Sequence, residues 1–195
     1  MTVRAVLVLL AGLLLVAGCS LSSGPADGAF VFGGTGGRTT VTYDPPASRG
    51  VLPPVSGESL LEPGRQLSTA DYRGQVVVLN VWGSWCGPCR AEADALDQVA
   101  LASAPQGVQF LGIDVRDQRQ AAADFVRDRG VVYPSIYDPP GRSLLALRGY
   151  PRNAVPSTIV LDRSHRVAAV FLTAVLASDL QPVVDRVAAE PVPAS

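Results

Sequence analysis

One histidine, 6% aromatic residues and a net charge of −1, from 16 basic and 17 acidic side chains, leave few groups able to carry chemistry. The balanced charge, with no like-charge run, excludes a partner such as nucleic acid that is recruited by clustered cations. Scarce aromatic rings mean few platforms on which bases stack. A lone imidazole cannot build a histidine-rich metal site. No heptad repeat is present, so a coiled coil is not indicated. What remains is ordinary globular material: 48% hydrophobic residues in a chain of 195, enough for one domain with its own core plus extra segments. The mean hydropathy of +0.26 is raised by a single apolar run at the N-terminus.

Cysteine is also rare, at three residues: Cys19, Cys86 and Cys89. An odd count in an exported protein flags a free or intermolecularly used thiol, and position accounts for it here. Arg4 precedes an apolar run from Ala5 to Ala17. That run has the length of a signal-peptide core and falls short of the roughly 20 residues needed to span a bilayer. It closes on Leu15-Val16-Ala17-Gly18-Cys19, which resembles the lipobox of bacterial lipoproteins. The resemblance implies cleavage after residue 18, lipidation of Cys19 and attachment at the extracytoplasmic face of the cell membrane, where disulfides persist. A plain secretory signal, or an uncleaved anchor, is the alternative. Residues 19–50, rich in Gly, Ser, Thr and Pro, read as a flexible tether that buries too little to offset its ordering entropy. Within it only Thr39 to Tyr43 alternates in the manner of a short strand.

A domain is expected over 51–190, with 191–195 as a tail. Val51 to Leu67 reads as an N-terminal hairpin around Gly57 and Gly64, and Thr69 to Gly74 as a helical turn. Val76 to Trp82 is a continuous β-branched run, the pattern of a central strand covered on both faces. A helix follows, with Ala93, Leu96 and Ala100 on one side. Gln109 to Val115 reads as a second strand, and Gln118 to Arg129 as a helix stopped by Gly130. Tyr133 to Tyr137 is extended, and Ser143 to Arg148 a short helix. Ser157 to Leu161 and Arg166 to Leu172 form a hairpin through the turn at residues 162–165, before a helix over Ser178 to Ala189. This order gives an α/β fold, a central mixed sheet flanked by helices.

Cys86 and Cys89 lie between the most apolar strand and the first long helix. A thiol at a helix N-terminus meets unpaired N–H groups and the positive end of the macrodipole, both of which favour the thiolate. Pro88 suits the first helical turn. Cys86 at the entry is the expected nucleophile, and Cys89 resolves the mixed disulfide. Lowering a thiol pKa from about 8.5 to about 7 raises the thiolate fraction at pH 7 about 16-fold. Intrinsic nucleophilicity falls about 4- to 6-fold over the same shift, so most of the advantage must come from holding Cys89 beside the bond it attacks. A zinc half-site would need two more ligands, and His165, in a turn, is the only imidazole. A passive staple would close a loop too small to stabilise much. The peroxidatic pattern Pro-x-x-x-Thr-x-x-Cys is absent upstream of Cys86.

The string Trp82-Gly83-Ser84-Trp85-Cys86-Gly87-Pro88-Cys89 after an apolar strand resembles thioredoxin-like proteins. The lipobox, the hairpin and Val78-Leu79-Asn80-Val81-Trp82 bring it nearest to the TlpA/ResA/CcmG group of membrane-tethered thiol–disulfide oxidoreductases. The resemblance covers about Val51 to Ala189 and implies a thioredoxin-like fold with an extra strand–helix insertion around Asp117 to Gly130. It makes Pro156, in Val155-Pro156-Ser157-Thr158, the cis proline facing the cysteines, with Val155 and Trp85 beside it in binding substrate. It assigns Glu92 to proton transfer, the alternative being a first-turn helix carboxylate. Asn80 stands where thioredoxin has a buried Asp, which puts the thioredoxin route for the proton in doubt. The implied activity is a reductase of protein disulfides such as the haem-site cysteines of apocytochrome c, supplied with electrons by a CcdA-like membrane thiol carrier and needing no cofactor. A disulfide-forming oxidase is the runner-up. A binding lipoprotein or copper carrier is a third reading, although copper delivery on this fold normally adds a His near the thiols.

Overall fold

The structure is a computed structural model and describes residues 28–33 and 36–192. Cys19 and the expected signal peptide lie outside the described residues. Eight strands are described: β1 (Thr40–Thr42), β2 (Ser56–Glu58), β3 (Gln66–Ser68), β4 (Val76–Trp82), β5 (Val108–Asp114), β6 (Ser135–Tyr137), β7 (Ser157–Leu161) and β8 (Val167–Phe171). The α-helices are α1 (Gly87–Ser103), α2 (Arg119–Arg129) and α3 (Ala177–Ala188).

The main sheet has the order β1-β8-β7-β4-β5-β6, and β2 and β3 pair as a separate antiparallel hairpin. β4 is central, parallel to β5 and antiparallel to β7, and all seven of its residues are buried. This is why its sequence runs apolar without alternation: both faces of the sheet are covered there. Alternate residues serve different cores. Val76 and Val78 pack with Leu96 and Val99 of α1 and Leu180, Val184 and Val187 of α3. Val77, Leu79 and Val81 pack on the opposite side with Phe30, Phe32, Leu52, Val55 and Leu144. Toward the C-terminal end of β4, Trp82 meets Ala122, Phe125 and Val126 of α2. Around Asp117 to Gly130, where the resemblance implies an extra strand–helix insertion, the chain forms only the helix α2; the strand comes after it, as β6, which extends the parallel edge beside β5.

The expected tether is corrected by this packing. From residue 28 the chain lies along the domain instead of leaving it at residue 51. Phe30 and Phe32 are 4% and 8% exposed and meet edge to face, with Tyr43 on one side and Tyr150 on the other. Phe30 N donates to Val51 O at 2.8 Å, and Phe32 N to Arg148 O at 2.8 Å. β1 pairs antiparallel with β8 and closes the sheet edge. Gly50 is required by this approach, since a side chain there would lie 2.6 Å from the Phe30 backbone. A buried cation locks the arrangement: Arg49 reaches Asp44, Asp162 and Glu190 at 2.9, 3.0 and 2.7 Å, tying the N-terminal segment to the β7–β8 turn and the end of α3. The two aromatic rings of Phe30 and Phe32 add to this hold, because each buries a large apolar area.

Candidate active site

β4 ends in the turn Gly83-Ser84-Trp85, and α1 begins immediately after. Cys86 is the helix N-cap, extended at φ −87° and ψ 108°, and its Sγ accepts from the Cys89 backbone N–H at 3.2 Å. Pro88 occupies the first turn. Cys86 and Cys89 are joined by a disulfide, with Cα atoms 5.3 Å apart. Each is 4% exposed, so accessibility does not separate their roles. The N-cap position does, because only Cys86 sits where the free N–H groups of the helix converge.

The residues expected from the sequence gather around this pair. Val155 packs against the cluster that contains Cys86, Cys89 and Trp82, and the Val155–Pro156 bond is cis. Trp85 is half exposed beside the disulfide, its indole N–H donating to Val115 O at 3.0 Å. The ring lies against Gly83, where any side chain would collide with it. His165 stands apart in the β7–β8 turn, its ring nitrogen 3.2 Å from Tyr72 O.

Glu92, one turn after Cys89, is 2% exposed. Its oxygens accept from Asn80 Nδ2 and from Val175 N, each at 2.9 Å. Burial pushes its pKa up to about 7, against those two hydrogen bonds, which hold it down. Asn80 therefore takes no proton itself but orients the group that can. Asn80 and Cys89 also line a small space of about 10 Å³ with Trp82, Phe125 and Tyr133, about the size of one water molecule.

Four functional candidates escaped the sequence reading. Asp114, at the end of β5 and level with Trp82, is fully buried with neither carboxyl oxygen hydrogen-bonded. Its pKa is pushed up to about 8, mainly by burial and further by the adjacent Asp117, while Arg119 opposes the rise. Asp117 accepts from Ser84 N at 2.5 Å, Ser84 Oγ at 3.0 Å and Gln118 N at 2.8 Å, pinning the turn that leads into Cys86. Arg116 lies over the Trp85 ring, 4.7 Å from its centroid. Tyr150 donates to Ala154 O at 2.8 Å and makes a short contact with Ser157 Oγ, bracketing Val155–Pro156 from both sides. Asp114 did carry a signal, an acidic residue inside the apolar run Phe110-Leu111-Gly112-Ile113-Asp114-Val115. Arg116 and Asp117 act through contacts with residues about thirty positions earlier, and Tyr150 through the path of the loop that leads to Pro156, for which one sequence offers no sign.

Comparison with known proteins agrees with this geometry. Residues 53–170 match the AhpC/TSA family. The thiol–disulfide oxidoreductase ResA of Geobacillus thermodenitrificans is 28% identical over 118 residues, 60% of this chain, and the match spans 66% of that protein's length. The thiol:disulfide interchange protein DsbE of Pseudomonas aeruginosa is 32% identical over 138 residues, 68% of this chain and 73% of that one. Among solved structures, a DsbF homologue from Corynebacterium diphtheriae superimposes with a TM-score of 0.77 at 45% identity, covering 81% of this chain and 99% of the other. The chain thus belongs to the AhpC/TSA family, as a thioredoxin-like protein related to the ResA and DsbE thiol–disulfide oxidoreductases.

Proposed function

We propose that this domain is an extracytoplasmic reductase of protein disulfides, held at the membrane through a lipid on Cys19. The observation that carries the redox reading is the Cys86–Cys89 disulfide at the N-terminus of α1, with Val155 and the Pro156 loop against it. In the reduced domain the Cys86 thiolate attacks one sulfur of the client disulfide. A mixed disulfide forms and one client thiolate leaves, taking up a proton. Cys89, its proton accepted by Glu92, then attacks Cys86 Sγ and releases the second client thiolate. Two electrons pass to the client, and the Cys86–Cys89 bond is restored. Trp85, Val155 and Pro156 hold the client backbone during the exchange.

Relatives named ResA and DsbE, together with Gly87-Pro88 between the cysteines, favour a reducing role. The haem-site cysteines of apocytochrome c are the leading client, and a CcdA-like membrane dithiol would re-reduce the domain. A solved relative described as a secreted thiol-disulfide isomerase of Corynebacterium glutamicum, 45% identical, supports a site outside the cytoplasm and keeps disulfide formation as the second reading. Two measurements decide between them. A Cys89→Ala variant, unable to resolve, traps its clients as mixed disulfides, and apocytochromes among them support the haem-site role. The Cys86–Cys89 potential is expected in the range of about −200 to −270 mV seen for glutaredoxins and thioredoxin, and a value near about −120 mV would sink the reductase.

A further inference from the structure

Arg116 follows β5 and sits with φ +54°, in the left-handed region that glycine adopts without strain and a residue with a Cβ does not. Its backbone N–H is tied to Pro139 O at 3.0 Å, so the position is set by the loop after β6 as well as by β5. The side chain is exposed, and its guanidinium lies over the half-exposed ring of Trp85, the residue immediately before Cys86. The same charge faces Tyr150, whose hydroxyl pKa is raised to about 12 by burial and is held down by the Ser157 hydrogen bond and by Arg116. The guanidinium therefore lies over Trp85 next to the reactive pair, and its positive charge is felt at Tyr150 beside the Pro156 loop.

Nearby carboxylates do not pair with it directly. Asp117 is engaged by Ser84 and Gln118, and Asp114 is buried on the sheet with Arg119 as the cation acting on it. Among the described residues, the ion pairs of this protein go to Arg49, Arg65, Arg119, Arg127, Arg129 and Arg186, and none to Arg116. A guanidinium stacked on an indole is partly stripped of water and presents its planar fork edge-on, which suits a carboxylate. Backbone strain retained at an exposed position beside the reactive group points to a role for the side chain it carries.

We propose that Arg116 is a specificity-determining residue, its guanidinium receiving a client carboxylate close to the client cysteine that bonds to Cys86. This rests on the reading of the domain as a protein-disulfide reductase. Clients with an Asp or Glu beside the attacked disulfide react faster than those with a Lys there. The test is stopped-flow reduction, by the reduced protein, of two Cys-x-x-Cys disulfide peptides that differ only in carrying Glu or Lys flanks. The wild type is expected to favour the Glu peptide about 5-fold at low ionic strength, the upper range for a solvent-facing ion pair. The ratio should shrink toward one in 1 M salt. Arg116→Gln should bring the ratio near one, and Arg116→Glu should invert it. Any change in Cys86 reactivity acts on both peptides and cancels in the ratio. Equal rates for the two peptides with the wild type, or a ratio unchanged in Arg116→Glu, would overturn the proposal while leaving the reductase intact. Failure to reduce either peptide overturns both.

Discussion

Replacing Asp114 by Asn should change the pH dependence of stability more than stability at any one pH. Asp114 is fully buried with both oxygens unpaired, and its pKa stands at about 8 in the folded protein, against about 3.9 in an unfolded chain. Folded protein therefore holds the proton over a window in which the unfolded chain has lost it. For a carboxyl group raised in this way, stability is greatest below about pH 4. It falls by up to about 1.4 kcal/mol per pH unit between about 4 and 8, then levels off. At pH 7 the accumulated cost is of the order of 4 kcal/mol, an upper figure because relaxation and water penetration soften it. Asn cannot ionise and escapes this cost, but its amide leaves a buried polar group short of partners, worth about 1–3 kcal/mol at every pH. The variant should thus be no more stable than wild type near pH 4.5, and more stable by about 1–3 kcal/mol near pH 8. Urea unfolding of the oxidised protein at pH 4.5, 6, 7.5 and 9, with m unchanged, reads this directly. Glu92 titrates in both proteins and drops out of the difference. A stability difference that does not vary with pH would show that Asp114 does not hold its proton in the folded protein.

Further expectations follow from the same structure. Glu92→Gln should abolish the rise in the rate of mixed-disulfide resolution as pH passes through about 7, where the wild-type carboxyl ionises; an unchanged pH–rate profile would exclude the proposed transfer of the Cys89 proton to Glu92. Arg49→Ala leaves Asp162 and Glu190 around an empty cation site and should cost about 3–5 kcal/mol in urea unfolding. Tyr150→Phe removes the hydroxyl that joins Ala154 O to Ser157, and should raise KM for client peptides with little loss of stability, about 1 kcal/mol. Phe30→Ala should destabilise by about 3 kcal/mol or more if the N-terminal segment is part of the core, and by almost nothing if it is a free linker.

Elements whose information is local were readable in the sequence. Val76 to Trp82 had to be a doubly covered strand, and Gly130 had to end α2, where it indeed adopts φ +68°. The cysteine pair and the first-turn proline were legible because their chemistry depends on residue type and spacing, whereas Pro156 was reached only through the resemblance to thioredoxin-like proteins. The docking of residues 28–33 was not, because composition averages Phe30 and Phe32 into the glycines and serines around them. Nor was the Asp117–Ser84 bond, which joins positions 33 apart through a turn whose path only the folded sheet determines. The position of Glu92 was foreseen, but not its partners: the contact with Val175 N comes from a loop 83 residues away.

The early docking of the chain shortens the leash on which the domain works. With Cys19 as the proposed anchor, nine residue steps separate it from Gly28, a span of at most about 30 Å even when fully drawn out. A chain joining the domain only at residue 51 would reach about 110 Å. The domain itself is about 40 Å across, from a radius of gyration near 15 Å for its size. With that anchor in place, the domain would keep to a thin shell above the bilayer, within reach of a membrane-embedded thiol donor of the kind proposed. Clients would then have to be brought to that shell, since so short a connection would not let the domain swing out to meet them.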